Sequence, residues 1–461
     1  MTMFIFVLLL VFFLNYRPIL ASEANIFGLH LTQTSDINSA APLINSTGGD
    51  WGWATTVIRT DQLNFQTWQE YFDNCRKYHI IPIIRLATII ENDHWKTPSY
   101  SDIDNLANFL NNLNWPTQKR HIILFNEINH ASEWGGQIDP KNFADLAVYT
   151  AIKFKSLNPD FYILSSPLDL AAPQNPPETA SAANIYREIF LYKPEYFNLI
   201  DGLGSHSYPN HGYIGLPTDT GQHSIRGYIW ELNYLKSLGV TSTYPIFITE
   251  TGWPHREGEA VDNHYYSANT SAKLLISAIK IWSADVRIKA ITPFIYNYPH
   301  TPFDHFSWLN SGETIYPEYQ QLIDLPKTSN QPVQITQYQT VANHLPFIIF
   351  TGTDYIGQII LKNTGQSIWG ETKFCLNPQT TPNVTLDAIC TGDNYIYPGQ
   401  SETFNYKLKI NNIPDYQDKT FISWGKLTQF EISPITNFST IFSPKTGLKD
   451  KLIQYIQSFF I

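Results

Sequence analysis

Residues 121–130 read HIILFNEINH, an apolar run that ends in the polar pair Asn126 and Glu127. The run is too short for a buried helix, and its apolar residues are consecutive rather than alternating, as in a strand covered on both faces. Seven further runs share this form. Upstream are IFGLHL from Ile26, TTVIRT from Thr55 and IIPIIRLAT from Ile80. Downstream are FYILSSPLDL from Phe161, IDGLGSHSYP from Ile200, PIFITETGWP from Pro245 and IKAITPFIYNY from Ile288. Helical stretches fall between them: Ser101 stands as a cap before Ile103, Leu106, Leu110 and Leu113, and Pro140 precedes Phe143, Leu146 and Ala147. Eight strand-and-helix units over about 300 residues predict an α/β fold, a (β/α)8 TIM barrel spanning 25–326. No glycine-rich phosphate loop follows the first strand, which argues against an open doubly wound sheet.

Every predicted strand closes, on its carboxyl side, in groups able to do chemistry. They are His30, Arg59, Arg85, Asn126 with Glu127, Asp169, His206 with Tyr208, Glu250, and Tyr296 with Asn297. In a barrel that face carries the active site, and the opposite face mainly stabilises. Any one of these residues alone is more simply a satisfied loop residue; the set is what points to a site. Glu127 and Glu250 stand 123 residues apart, three units of the barrel, so both carboxylates are expected to enter one cleft from nearly opposite sides. Retaining glycoside hydrolysis requires such a pair, an acid and a nucleophile about 5–5.5 Å apart.

At LFNEINH, GSHSYP and FITETGWP the chain resembles the clan A glycoside hydrolases, most closely the family 5 cellulase and mannanase group, over roughly 25–325. The resemblance implies that Glu127 is the acid/base, Glu250 the nucleophile, and Asn126 a donor to the sugar 2-hydroxyl. It makes His206 and Tyr208 the His-x-Tyr pair and Arg59 the strand-two arginine. Arg85 is a second arginine in an equally good position, so which of the two bonds the nucleophile stays open. The tryptophan that usually closes strand eight is replaced by Tyr296 or supplied by Trp308. His30, Trp134, Tyr296, Asn297 and Trp308 are the expected substrate-binding residues, with Trp253 and the cluster Phe303, Asp304, His305 and Phe306 beside them in strand-end loops. The implied activity is retaining cleavage of O-glycosidic bonds in a polysaccharide or oligosaccharide, β-1,4 glucan or mannan by default, with no cofactor and no metal. The alternatives are transglycosylation at the same site and a noncatalytic carbohydrate-binding surface protein.

Composition bounds the rest. Of 461 residues 15% are charged and 15% aromatic, and 40 acidic against 30 basic residues give a net charge of −10. Disorder is excluded, and without a basic block nucleic acid is no expected partner. The partner is a carbohydrate; oligomeric state is not legible. Residues 1–24, with the apolar run Phe4 to Leu14, read as a signal peptide or an uncleaved N-terminal anchor, which places the protein outside the cytoplasm. Past Pro326 short β-rich runs take over, and 331–440 read as an immunoglobulin-like β-sandwich accessory domain. Residues 441–461 carry an amphipathic helical pattern, suited to a peripheral membrane or cell-wall contact or to docking on its own domain. Cys75 lies on the apolar face of Phe65, Trp68 and Phe72 and reads as a core thiol, whereas Cys375 and Cys390 are a candidate pair that export lets close.

Overall fold

The computed structural model describes residues 25–344, 348–350, 352–371, 373–380, 384–411, 422–426 and 440–442. The expected leader and the tail beyond 442 lie outside the described residues. The chain divides into two compact units between Val333 and Gln334.

The first unit contains β1 (Gly28–Leu31), β2 (Gly52–Arg59), β3 (Ile80–Ala87), β4 (Ile90–Glu91), β5 (His94–Trp95), β6 (Arg120–Ile123), β7 (Phe161–Leu164), β8 (Leu203–His206), β9 (Ile246–Glu250) and β10 (Ile288–Ile291). Strands β4 and β5 form a small antiparallel hairpin. The other eight run parallel in two sheets, ordered β1-β2-β3-β6-β7 and β10-β9-β8. Single parallel bridges, Phe27 to Ile291 and Leu164 to Gly202, link the edges of these sheets. Ile291 N donates to Ile26 O at 2.7 Å, and Ser165 N to Gly202 O at 3.1 Å.

Burial follows the sequence pattern. In β2 and β3 the residues are buried on both faces, with Val57, Arg59 and Arg85 the partial exceptions. Trp53, Ile83, Ile123, Leu164, Phe247 and Ala290 meet in one buried cluster, so side chains from both sheets share an interior. His121 packs there against Trp53 and Phe247. Burial depresses its pKa to about 3, which makes it a neutral core histidine.

A larger cluster lies between strands and helices and includes Trp68, Tyr71, Phe72 and Cys75 of the helix Phe65–Lys77. The Asn64 side chain caps that helix by accepting from Thr67 N. The next helix, Tyr100–Asn112, is capped by Ser99 and not by Ser101, because Ser99 and Asp102 satisfy each other's backbone N–H groups in a capping box. Helix Pro140–Leu157 starts with Pro140 in its first turn, after the Asp139 cap.

Residues 327–333 remain with the first unit. Lys327 Nζ donates to Ser46 Oγ at 2.7 Å and to the carbonyls of Leu322, Ile323 and Leu325. Asn330 Nδ2 bonds Asn25 O at 2.6 Å and Trp51 O at 2.8 Å. The two side chains thus donate to backbone carbonyls at the end of the helix Gln320–Ile323 and beside β2, and fasten the segment there.

The second unit is antiparallel β structure. Strands β11 (Tyr338–His344), β12 (Ile348–Phe350), β13 (Asp354–Asn363), β14 (Cys375–Thr380), β15 (Val384–Leu386), β16 (Ile389–Cys390), β17 (Ser401–Ile410), β18 (Ile422–Lys426) and β19 (Thr440–Phe442) form sheets β11-β13-β17-β15 and β16-β14-β18, while β12 and β19 pair in parallel. Inward residues alternate with exposed ones along β13 and β17, giving a core of Ile359, Leu361, Phe404, Tyr406 and Leu408 with Trp369 stacked on Phe374. Gly357 lies opposite Tyr406 in the ladder, and a Cβ there would come within 2.3 Å of the ring, so only glycine fits. Cys375 and Cys390 face each other across β14 and β16 and are disulfide-bonded. Among the described residues no helix is long and apolar enough to cross a membrane.

Candidate active site

After Ile123 the chain leaves β6 through two left-handed residues, Phe125 at φ 65° and Glu127 at φ 28°. Such backbone costs about 1–3 kcal/mol per residue and persists only where its surroundings enforce it. Leu124 N is held by Leu164 O, and Glu127 N by Pro167 O at 3.0 Å. Asn126 and Glu127 are thereby fixed at the carboxyl ends of the parallel strands. Glu250 is the last residue of β9, and His206, the last of β8, pairs with it across a register shift.

The side chains converge. His206 Nδ1 lies 2.7 Å from Glu127 Oε1 and 3.7 Å from Glu250 Oε2. The nearest donor atoms of Glu127, His206 and Glu250 all lie within 4.8 Å of one another. Arg85, on β3, directs Nη1 to Glu250 Oε1 at 3.4 Å, and the Tyr208 hydroxyl donates to Oε2 at 3.3 Å. His30, on β1, puts Nε2 3.6 Å from Oε1 of the same carboxylate. Behind Glu127, His130 and Asp169 are paired at 2.9 Å.

The two carboxylates differ in surroundings. Burial and the charge of Asp169 push the Glu127 pKa up to about 7, with His130 and Arg85 opposing. Burial also raises Glu250, opposed by His206 where that ring is charged and by Arg85. Burial lowers His206 to about 4, so its imidazole is neutral near pH 7. A neutral ring keeps its bond to Glu127 in either state of the acid, since Nδ1–H donates to a carboxylate and bare Nδ1 accepts from a carboxylic acid. Among the described residues, Glu127, His206 and Glu250 also form a group whose donor atoms could hold a metal ion, although the Arg85 guanidinium beside Glu250 already supplies fixed positive charge.

Other expected residues lie elsewhere. Arg59 is bonded to Asp61, Nε to Oδ1 at 2.9 Å, and is partly exposed, so the arginine at the glutamate pair is Arg85. Trp134 is 1% exposed, donates Nε1 to Asn142 and packs edge-on to Phe125 and Phe143; it braces the loop and borders the cleft beside Asn126 and Glu133. Trp308 is 2% exposed and stacked on Tyr319. Tyr296 is buried, and its N–H bonds His30 O. Asn297 reaches Asp36 at 3.5 Å and accepts from Thr32 Oγ1, tying two loops together. Trp253 is buried with Nε1 on Gly215 O, and buried Asp304 accepts from Glu259 N at 2.7 Å. A Cβ at Gly258 would meet the Asp304 carboxylate at 2.3 Å, so glycine is required where these loops close up.

Sequence reasoning passed over Glu133, Tyr213 and Trp95. Glu133 Oε2 accepts from Asn126 Nδ2 at 3.2 Å. Tyr213 packs edge-on to Tyr208 and Phe306, and the charges of Glu127, Asp169 and Glu250 add to burial in raising its pKa. Trp95 sits in the two-residue strand β5, Glu133 in the 3-10 turn Ala131–Glu133 and Tyr213 in a loop, all too short or irregular for periodicity to mark them; the one available signal was that they occupy segments following predicted strand ends.

No protein-family model matches the chain, and no curated protein matches it. Solved structures similar to it include a calcium-binding mutant of Bacteroides uniformis beta-glucuronidase 2, at 11% identity and TM-score 0.43 over 91% of this chain. The chain spans 46% of that protein's length. An endo-beta-1,4-glucanase of Xanthomonas axonopodis pv. citri matches at 12% identity and TM-score 0.40, covering 66% of this chain and 94% of its own. A fungal beta-1,4-galactanase matches at 14% identity and TM-score 0.43, covering 64% and 98%. Identities and scores this low assign no chemistry to the present chain.

Proposed function

We propose that the protein is a retaining glycosidase acting on O-glycosidic bonds. The observation that carries this is the approach of Glu127 and Glu250 to within 4.8 Å in unlike environments, one with a pKa near 7 and one beside Arg85. That separation suits direct attack and leaves little room for the water an inverting enzyme seats between its carboxylates. Glu250 attacks the anomeric carbon as Glu127 gives its proton to the departing glycosidic oxygen, forming a glycosyl ester. Glu127, now a carboxylate, takes a proton from water, whose oxygen displaces Glu250 and releases the sugar. Tyr208 and Arg85 hold Glu250 ionised, and His206 orients Glu127. The default substrate is β-1,4 glucan or mannan, in keeping with the family 5 resemblance.

In this reading the two parallel sheets are arcs of one closed (β/α)8 barrel over 25–326, with the single bridges as its seams, and the second unit is an accessory β-sandwich. An exported enzyme suits the disulfide-bonded cysteines. The test is a screen of aryl β-glycosides and polysaccharides with wild type, Glu127→Gln and Glu250→Gln. Both variants should lose most turnover while keeping native circular dichroism, and an activated fluorosugar should label Glu250. With the Glu127 variant kcat/KM should fall least on substrates with good leaving groups, whose departure needs no acid, while kcat stays low because the water step lacks its base. Wild-type turnover in either variant, or a first-formed product of inverted anomeric configuration by NMR, refutes the proposal.

A further inference from the structure

The helix Gly227–Leu238 buries Gly227, Tyr228, Glu231 and Leu235, at the three- and four-residue spacing of one helix face. Such a face is ordinarily apolar, yet at its centre stands a fully buried carboxyl. The Tyr186 hydroxyl donates to Glu231 Oε1 at 2.6 Å, and the Ser205 hydroxyl donates to Oε2. Ser205 Oγ lies 2.9 Å from Ser207 Oγ, which accepts from Tyr228 N at 3.0 Å, so the chain of bonds closes on the same helix. With Glu231 as a carboxylate every donor in that chain has an acceptor: Tyr228 N–H gives to Ser207, Ser207 to Ser205, and Ser205 and Tyr186 to the two carboxylate oxygens.

The two serines flank His206. Along β8 the ladder to β9 pairs Leu203 with Ile246, Gly204 with Phe247 and Ser205 with Ile248, then shifts so that His206 pairs with Glu250. Without that shift His206 would oppose Thr249, and Glu250 would fall beside Ser207. Thr249 is the extra residue, and its buried hydroxyl has no partner. A bulge interrupts the ladder, so contacts outside the ladder must fix it. Here the serines supply them. Ser207 O accepts from Thr251 Oγ1 at 2.8 Å, just past β9, while the two serine hydroxyls are anchored to Glu231 and Tyr228.

We propose that Glu231 is a positioning residue: acting through Ser205 and Ser207, it holds the end of β8 in the shifted register that sets His206 against Glu127 and the Tyr208 hydroxyl against Glu250. The proposal rests on the glycosidase reading and deepens it, by assigning the alignment of the glutamate pair to a buried carboxyl beneath the strand. Burial raises the Glu231 pKa to about 7, and the neutral acid keeps the same contacts with the serine bonds reversed in direction. Gln copies that neutral form.

The test compares Glu231→Ala, Ser207→Ala, Glu231→Gln and Tyr186→Phe in the full chain, each verified as folded by circular dichroism, on the best aryl glycoside. Glu231→Ala and Ser207→Ala should each lower kcat/KM by about tenfold, because small misplacements of reacting groups are felt strongly. Both should also move the acid limb of the pH profile upward, since a displaced Tyr208 no longer favours ionised Glu250. Glu231→Gln should stay within about threefold of wild type, because it retains the chain of contacts. Tyr186→Phe removes a bond to the same carboxylate but not its link to β8, so it should lower Tm and leave both kinetic readouts in place. Ser207→Ala decides if Glu231→Ala does not fold. The proposal is overturned if Ser207→Ala keeps wild-type kcat/KM and acid limb, if Glu231→Gln falls as far as Glu231→Ala, or if Tyr186→Phe loses as much activity as Ser207→Ala. Should Glu127→Gln and Glu250→Gln prove as active as wild type, the catalytic reading fails and a crystal structure of Ser207→Ala decides instead. His206 Nδ1, now 2.7 Å from Glu127 Oε1, should withdraw beyond about 3.5 Å, and an unmoved His206 overturns the proposal.

Discussion

Replacing Arg85 by Gln should move the acid limb of the pH–activity profile upward. The guanidinium lies 3.4 Å from the Glu250 carboxylate. At an effective dielectric constant of about 20, two unit charges at that distance attract by about 5 kcal/mol, before the cost of desolvating either ion. Removing a cation this near a carboxylate typically raises its pKa by about 1–3 units, at about 1.4 kcal/mol per unit. The sign is fixed by the role of Glu250. As the proposed nucleophile it must be ionised, Arg85 favours ionisation, and without it a higher pH is needed. Arg85 also lowers the Glu127 pKa, so the basic limb, which marks loss of the acid's proton near pH 7, should rise too. The assay is kcat/KM for the best aryl glycoside from pH 3 to 9 in constant ionic strength, with circular dichroism to verify folding. Arg59→Ala is the control, because that side chain bonds Asp61 at the rim and its loss should leave both limbs in place. An unmoved acid limb in Arg85→Gln, or a moved one in Arg59→Ala, refutes the assignment of Arg85 to the nucleophile.

Three further outcomes follow from the same geometry. Glu231 is buried against the Tyr186 hydroxyl at 2.6 Å and bonded by Ser205, and burial raises its pKa to about 7. A carboxyl with a raised folded pKa contributes stability below its unfolded value near 4.5 and loses it as pH climbs through about 7. The Tm of Glu231→Gln should therefore gain on wild type across that window, and parallel Tm curves would contradict this. Reducing the Cys375–Cys390 bond, which spans 15 residues, should cost the second unit about 3 kcal/mol by loop entropy, while buried Cys75 resists alkylation in the native protein; urea melts with and without reductant measure the first, mass spectrometry the second. Trp134→Ala and Trp308→Ala should each cost about 3–5 kcal/mol of stability, as core truncations do. A raised KM without a lower urea midpoint would instead make these rings sugar platforms.

Much of the first unit is legible because its signal is local. A strand covered on both faces must be apolar at consecutive positions, and eight such runs punctuated by amphipathic helices leave few arrangements. Boundaries were less legible. The second strand begins at Gly52 and not at Thr55, since Gly52 to Ala54 pair in register with Ile80 to Pro82 of β3. Past Pro326 the sequence shows only the end of the helical periodicity, yet Lys327 is fastened to the Ser46 hydroxyl and Asn330 to the Asn25 and Trp51 carbonyls, all distant in sequence.

By itself the sequence determined the alternation of parallel strands and helices, the polar character of the strand ends, and Glu127 and Glu250 as the pair to examine. Each depends on residue type and spacing along the chain. Tertiary structure alone decided which arginine meets Glu250. In the β2–β3 register Arg59 pairs with Ala87, while Arg85 pairs with Val57, two residues nearer the sheet centre. Arg85 therefore reaches Glu250 from within the cleft, and Arg59 turns at the rim to Asp61. Structure likewise decided that Trp134 and Trp308 pack inward and that Glu133, from a 3-10 turn too short for pattern, grips Asn126. Register and loop path depend on partners far apart in sequence, and a side chain's neighbours there are set by packing in three dimensions, which residue spacing does not encode.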